Sequence, residues 1–98
     1  MEQISVTDLA AQSDATIVDV REIDEFQAER VEGSINVPLS ALLSRIDEVP
    51  RDTTVYVMCA AGRRSAEAAA YLDEHGFDVV NVDGGIHAWT DAGLPVEH

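Results

Sequence analysis

Cys59 is the only cysteine of the chain, and it ends the apolar run VYVM and begins the loop CAAGRRS. Small residues and a glycine let successive backbone N–H groups turn inward, and the positive end of the following helix lies behind them. Arg63 and Arg64 add two charges in a chain that has four other arginines and no lysine. These features favour a thiolate and predict a nucleophilic cysteine. The competing interpretation is a small buried cysteine at the end of a strand.

Few other side chains offer chemistry. The three histidines, His75, His87 and His98, show no ligand spacing and no paired carboxylates, so we expect neither a metal nor another cofactor. A lone cysteine also excludes an intrachain disulfide. We expect His87 to be an ordinary helix residue rather than an acid–base group. Gly84 and Gly85 lack the lysine and the further glycines of a phosphate loop, and we expect them to permit a tight strand-to-helix turn.

The charge balance is strongly acidic. Nineteen Asp and Glu residues oppose six arginines, which gives a formal net charge of −13. This charge disfavours nucleic acid and anionic membranes, and we expect neither as a direct partner. An acidic surface without lysine also suits a solution of high salt concentration, in which the Debye length falls to a few ångströms. Adaptation to a salt-rich cytoplasm is therefore one hypothesis, and a surface that simply favours solubility is the other.

A chain of 98 residues has room for one hydrophobic core, and no repeat or linker interrupts it, so we predict a single domain over 1–98. No apolar run approaches the roughly 20 residues that cross a bilayer. The segment MEQISVTDLAAQ lacks the basic and apolar regions of a secretory signal. We therefore predict a cytoplasmic protein.

Short apolar segments rich in β-branched residues predict five strands. In the list that follows, the last two segments show the weaker pattern. They are TIVDV (16–20), TTVYVM (53–58), FDVVNV (77–82), SINVPL (34–39) and QISV (3–6). Their nearly continuous apolar character is typical of strands that are buried on both faces of a parallel sheet.

Helical segments alternate with these strands. The predicted helices are SVTDLAAQ with Thr7 as N-cap, EIDEFQAER, SALLSRIDEV with Ser40 as N-cap, RRSAEAAAYLDEH closed by Gly76, and GGIHAWTDAG ending at Gly93. The alternation predicts an α/β domain with a mainly parallel sheet and helices on both faces. Ligands of such sheets bind beyond the carboxyl ends of the strands, and Cys59 lies at such a place, between the strand 53–58 and the helix 64–75.

Four segments resemble, in order, those of the rhodanese-like sulfurtransferase family. IVDVREIDEF is similar to its Asp-Val-Arg-x-x-x-Glu-Phe segment, VEGSINVPL to its Ile-x-Gly-Ala-x-Asn-Ile-Pro-Leu segment, CAAGRRS to its active-site loop Cys-x-x-Gly-x-Arg-Ser, and VDGGIHAWTDAGLPV to its closing Gly-Gly-x-x-x-Trp-x-x-x-Gly-x-Pro segment. The resemblance covers almost the whole chain. The chain departs from the family at Glu29-Arg30-Val31, where Gly-His-Ile is frequent, and at Ser34, where alanine is usual. It therefore lacks a histidine that is sometimes found near the pocket.

The resemblance implies a rhodanese-like fold with a central five-stranded sheet, and it implies sulfur transfer. The Cys59 thiolate would attack the outer sulfur of a donor such as thiosulfate, release sulfite and keep a persulfide, which cyanide, a thiol or a protein then accepts. The loop N–H groups would hold the negative terminal sulfur, and the two arginines would attract the anionic donor. The implied binding residues are Ala60, Ala61, Gly62, Arg63, Arg64 and Ser65. Asp19 and Arg21 would form a structural pair near the site, and Glu25 would pack and cap a helix.

Two alternatives to a thiosulfate enzyme stay open. One is a carrier module that receives sulfur from a donor protein and passes it on, since an intact cysteine loop serves either role. The other is a phosphatase or an arsenate reductase. Related phosphatases have five residues between cysteine and arginine, whereas four residues separate Cys59 from Arg64. The shorter loop favours a sulfur atom over a tetrahedral oxyanion, which makes the second alternative the lesser one.

Overall fold

Strands and helices alternate in the computed structural model, which describes residues 1–98. The elements are β1 (Glu2–Ile4), α1 (Val6–Ala10), β2 (Thr16–Asp19), α2 (Ile23–Ala28), β3 (Ile35–Asn36), β4 (Val55–Met58), α3 (Arg63–Glu74), β5 (Val79–Val82) and α4 (Gly85–Asp91). Two 3₁₀ turns, Leu39–Ala41 and Ile46–Glu48, lie between β3 and β4. None of the helices combines the length and the apolar character that a membrane span requires.

The strands form one sheet in the order β1-β5-β4-β2-β3, and every pairing in it is parallel. The predicted five-stranded, mainly parallel sheet is confirmed. In the centre, Val57 of β4 lies opposite Val18 of β2 on one side and Asn81 of β5 on the other. Because all strands run in the same direction, their carboxyl ends meet at one edge of the sheet. Cys59 directly follows β4 at this edge.

Helices cover both faces of the sheet, as predicted, because successive side chains of a strand point to opposite faces. Val57 belongs to a buried cluster on one face together with Leu72 of α3. The next residue, Met58, belongs to the cluster on the other face, which contains Leu9 of α1 and Trp89 of α4. The strand that leads into the cysteine loop is therefore buried on both sides, which fixes the start of the loop.

The helix predicted over SALLSRIDEV is wrong, because this segment forms the two 3₁₀ turns instead. The hydroxyl of Ser44 donates to the carbonyl of Ala41 at 3.1 Å, and that of Ser40 donates to Glu22 at 2.7 Å rather than capping its own segment. Such side-chain hydrogen bonds compete with regular helix formation. Leu42 is buried whereas Leu43 is 69% exposed, so the expected common apolar face does not exist.

Two smaller predictions also need correction. The N-cap of α1 is Ser5 and not Thr7, because the Ser5 hydroxyl accepts the backbone N–H of Asp8 at 3.2 Å. The strand predicted over 34–39 is reduced to the two residues of β3. Pro38 has no N–H group, and it stands at the N-cap of the first 3₁₀ turn, where the chain leaves the sheet.

Candidate active site

The loop 59–65 joins the carboxyl end of β4 to α3. Gly62 is the N-cap of α3 and has a φ of +99°, a conformation that favours glycine. The N–H of Gly62 donates to the Cys59 sulfur, with an N–Sγ distance of 3.1 Å. Cys59 itself is only 1% exposed. The thiol therefore lies at the base of the loop, in contact with backbone donors.

The pKa of the Cys59 thiol lies below its usual value. Burial is the largest single influence and opposes ionisation, but the Ser65 hydroxyl and the backbone N–H groups of Ser65, Gly62 and Ala61 together outweigh it. Several donors that converge on one sulfur, with the positive end of the α3 dipole behind them, form a small anion-binding nest. The loop thus favours a nucleophilic thiolate.

Ser65 lies behind the loop, and its side chain does not line the pocket. The residue is fully buried, and its Oγ forms no hydrogen bond of normal geometry with any protein atom. The hydroxyl is nevertheless one of the groups that lower the pKa of the Cys59 thiol. It therefore has no structural partner that competes with the thiolate.

An open cavity of about 690 Å³ lies above the cysteine, the largest cavity of the molecule. It is lined by Cys59, Ala60, Ala61, Arg63, Arg64, Ala66 and Glu67. The side chain of Arg63 is exposed and makes no ion pair. Its charge is therefore available to an anion that enters the cavity.

Arg64, by contrast, is held by Glu25 of α2. Its Nη1 and Nη2 donate to Oε1 and Oε2 of Glu25 at 2.7 and 2.9 Å. The hydrogen bonds from Arg64, against the opposing effect of burial, lower the pKa of Glu25 from 4.5 to about 2, and the same pair raises the pKa of Arg64. Sequence reasoning missed this role of Glu25, for which it expected only packing and capping. The one available signal was its place in IVDVREIDEF.

Asp19 and Arg21 form a buried ion pair at the end of β2, with an N–O distance of 2.8 Å. The guanidinium also donates to the carbonyls of Glu25 at 3.2 Å and Glu29 at 2.7 Å. The pair therefore ties the end of β2 to α2, and α2 carries the partner of Arg64. Neither Asp19 nor Arg21 lines the cavity above Cys59.

The start of α4 contacts the cysteine loop and does not line the cavity. The N–H groups of Ile86 and His87 donate to the carbonyls of Cys59 and Ala60 at 2.9 and 3.0 Å. The side chain of His87 is exposed and does not line the cavity. No three His, Cys, Asp or Glu side chains come together in an arrangement that could hold a metal ion.

Known proteins resemble this chain in sequence and in fold. The family model of the rhodanese-like domain matches residues 4–92. A sulfurtransferase of Allochromatium vinosum is 36% identical over 89 residues, which cover 90% of this chain and 83% of that protein. The thiosulfate sulfurtransferase GlpE of Vibrio cholerae is 36% identical over 87 residues, which cover 88% and 82%.

A solved structure extends the comparison to the fold. The crystal structure of a rhodanese-related protein from Thermoplasma volcanium matches with a TM-score of 0.95 and 37% sequence identity, over 99% of this chain and 98% of that chain. The two backbones thus agree over nearly the whole length of both chains. The chain belongs to the rhodanese-like domain family.

Proposed function

We propose that this protein is a sulfurtransferase that moves a sulfane sulfur from thiosulfate or a related donor to a thiophilic acceptor through a persulfide on Cys59. The observation that carries the proposal is the Gly62 N–H at 3.1 Å from the Cys59 sulfur, in a loop that lowers the pKa of the thiol. A lower pKa raises the fraction of thiolate, which is the nucleophilic form of the side chain. The similarity to sulfurtransferases supports the same chemistry.

In the first step, the Cys59 thiolate attacks the outer sulfur of thiosulfate. A new S–S bond forms at Cys59, the S–S bond of the donor breaks, and sulfite leaves with the bonding electron pair. The persulfide retains one negative charge on its terminal sulfur, which the N–H groups of the loop stabilise. The binding residues in this proposal are Ala60, Ala61, Gly62, Arg63, Arg64 and Ser65.

In the second step, the acceptor attacks the terminal sulfur of the persulfide. With cyanide, a C–S bond forms, the S–S bond breaks, thiocyanate leaves and the Cys59 thiolate is restored. A thiol or a protein cysteine would accept the sulfur in the same way, as its thiolate. Because the chain has one cysteine, no thiol of its own can resolve the persulfide, and the acceptor comes from another molecule.

The charges around the cavity support an anionic donor. The chain carries a net charge of −13, which opposes the approach of a dianion such as thiosulfate. Arg63 offers an uncompensated positive charge at the rim of the cavity, whereas the charge of Arg64 is balanced by Glu25. We therefore assign donor attraction mainly to Arg63. Asp19 and Arg21 act as structural support, because they hold α2 against the end of β2.

The test is to incubate the protein with thiosulfate, record the intact mass, and then add cyanide and measure thiocyanate. We expect a mass gain of one sulfur atom that is lost on addition of cyanide, and turnover that disappears in Cys59→Ser. A persulfide that forms only from a persulfidated donor protein would establish the carrier alternative instead. If no donor of either kind adds sulfur to Cys59, both functions are refuted, and hydrolysis of an aryl phosphate would then favour a phosphatase.

A further inference from the structure

Gly85, the first residue of α4, lies directly against the cysteine loop. Its φ is +56°, and a Cβ atom at this position would overlap the carbonyl oxygen of Cys59 and lie 2.7 Å from that of Ala60. Both obstacles are backbone atoms, which cannot move aside as the end of a flexible side chain can. Only glycine therefore permits this approach of α4 to the loop.

The close approach lets two backbone donors of α4 bind the loop. Ile86 N–H donates to the Cys59 carbonyl at 2.9 Å, and His87 N–H donates to the Ala60 carbonyl at 3.0 Å. The first N–H groups of a helix have no acceptor within the helix, so these bonds cost α4 no internal hydrogen bond. The loop also approaches Gly84, since a Cβ on Gly62 would lie 3.2 Å from the Gly84 nitrogen.

The direction of these carbonyls determines the direction of the loop N–H groups. A trans peptide is planar, and its C=O and N–H point in opposite directions. The carbonyl of Ala60 shares a peptide group with the N–H of Ala61, and it is held toward α4. The N–H of Ala61 therefore points away from α4, and it is one of the donors that favour the Cys59 thiolate.

We propose that Gly85 and the backbone N–H groups of Ile86 and His87 are positioning elements of the reaction, because they hold the Cys59 and Ala60 carbonyls so that the loop N–H groups face the sulfur. The consequence for turnover rests on the proposed function. The consequence for the ionisation of Cys59 does not, because alkylation of the thiol needs no sulfur donor.

The first test compares Gly85→Ala with Gly93→Ala. Gly93 follows the other end of α4, has a φ of +75° and would leave a Cβ with no atom within 4 Å. Both variants place alanine in the left-handed region, but only Gly85→Ala collides with the loop. We expect Gly85→Ala to raise the midpoint of the pH profile of Cys59 alkylation by about one unit, which corresponds to a tenfold loss of thiolate below the midpoint. We also expect this variant to transfer sulfur more slowly. Gly93→Ala should keep the wild-type profile.

The second test leaves Gly85 in place, and it decides the matter if Gly85→Ala does not fold. His87→Pro removes the N–H that binds Ala60, at a first-turn position where proline costs no helical hydrogen bond. In proline the ring carbon Cδ replaces this hydrogen and faces the Ala60 carbonyl, so the carbonyl loses its donor and must shift. His87→Ala removes the same exposed side chain and keeps the N–H, so the difference between the two variants reports the contact between this nitrogen and the Ala60 carbonyl. We expect the alkylation midpoint of His87→Pro to lie above that of His87→Ala.

The outcomes separate this inference from the proposed function. Folded Gly85→Ala and His87→Pro proteins with the alkylation profiles of their controls would overturn the inference, whatever their turnover. Shifted profiles in a protein that accepts sulfur from no donor would uphold the positioning role and refute sulfur transfer. Circular dichroism and thermal unfolding of each variant establish that it is folded before the profiles are compared.

Discussion

Replacing Glu25 by glutamine removes the negative charge that neutralises Arg64 and leaves most of the surrounding geometry in place. The Glu25 Oε1 atom also accepts the N–H of Glu22 at 3.0 Å, in a capping box at the start of α2. Glutamine can keep this hydrogen bond, because glutamate and glutamine serve equally at this helix position. Glu25→Gln therefore isolates the two charged hydrogen bonds to Arg64.

The expected loss of stability follows from the pKa of Glu25. Its fall from 4.5 to about 2 corresponds to roughly 3 kcal/mol if the pair is fully shielded from water. The side chains of Arg64 and Glu25 are 36% and 35% exposed, however, so solvent screening reduces the expected effect to about 1 kcal/mol. Because folding lowers the pKa of Glu25, the contribution of its ion pair to the free energy of unfolding is fully present above pH 4.5 and is lost as the pH falls toward about 2.

The assay is urea unfolding of wild type and Glu25→Gln over this pH range. The difference in the free energy of unfolding should be about 1 kcal/mol near neutral pH and should disappear as Glu25 becomes protonated. Glu48→Gln is the matched control, because Glu48 pairs with Arg45 at 2.7 Å but its side chain is 49% exposed to water, against 35% for Glu25. We expect no measurable change in that variant. A Glu25→Gln difference that does not vary with pH would refute the electrostatic explanation.

The same substitution has a consequence for the cysteine. Without Glu25, the Arg64 charge is no longer balanced, and this charge interacts with the Cys59 thiolate, as the effect of Cys59 on the pKa of Arg64 shows. Glu25→Gln should therefore lower the pKa of the thiol further, whereas Arg64→Ala should raise it. The pH profile of Cys59 alkylation measures both. Equal profiles in the two variants would show that the backbone N–H groups alone set the ionisation.

Two further predictions concern the buried hydroxyl and the acidic surface. Ser65→Ala should raise the pKa of the Cys59 thiol with little loss of stability, because the Ser65 Oγ has no other partner; an unchanged alkylation midpoint would contradict this role. If the net charge of −13 reflects adaptation to high salt, the unfolding temperature should be higher in molar potassium chloride than in dilute buffer, since salt screens the repulsion between carboxylates. A flat or falling dependence would contradict the adaptation.

Local sequence patterns were sufficient to predict the sheet and the cysteine loop. Runs of β-branched residues specify buried strands, and the place of Cys59 between β4 and α3 follows from chain order. The same approach failed for SALLSRIDEV, where spacing of the leucines suggested a helix. There, the hydroxyls of Ser40 and Ser44 bind other groups, and Leu43 is left exposed. Periodicity does not reveal such competing hydrogen bonds.

The family pattern, the fold class and the candidate nucleophile could thus be predicted from the sequence, because they depend on residues that are close together along the chain. The groups that surround that nucleophile, by contrast, come from distant parts of the chain and are seen only in the folded protein. It pairs Arg64 with Glu25, 39 residues away, and it places Ile86 N–H on the Cys59 carbonyl. These contacts arise because the sheet order brings the ends of β2 and β5 to either side of β4, and no local pattern specifies that order.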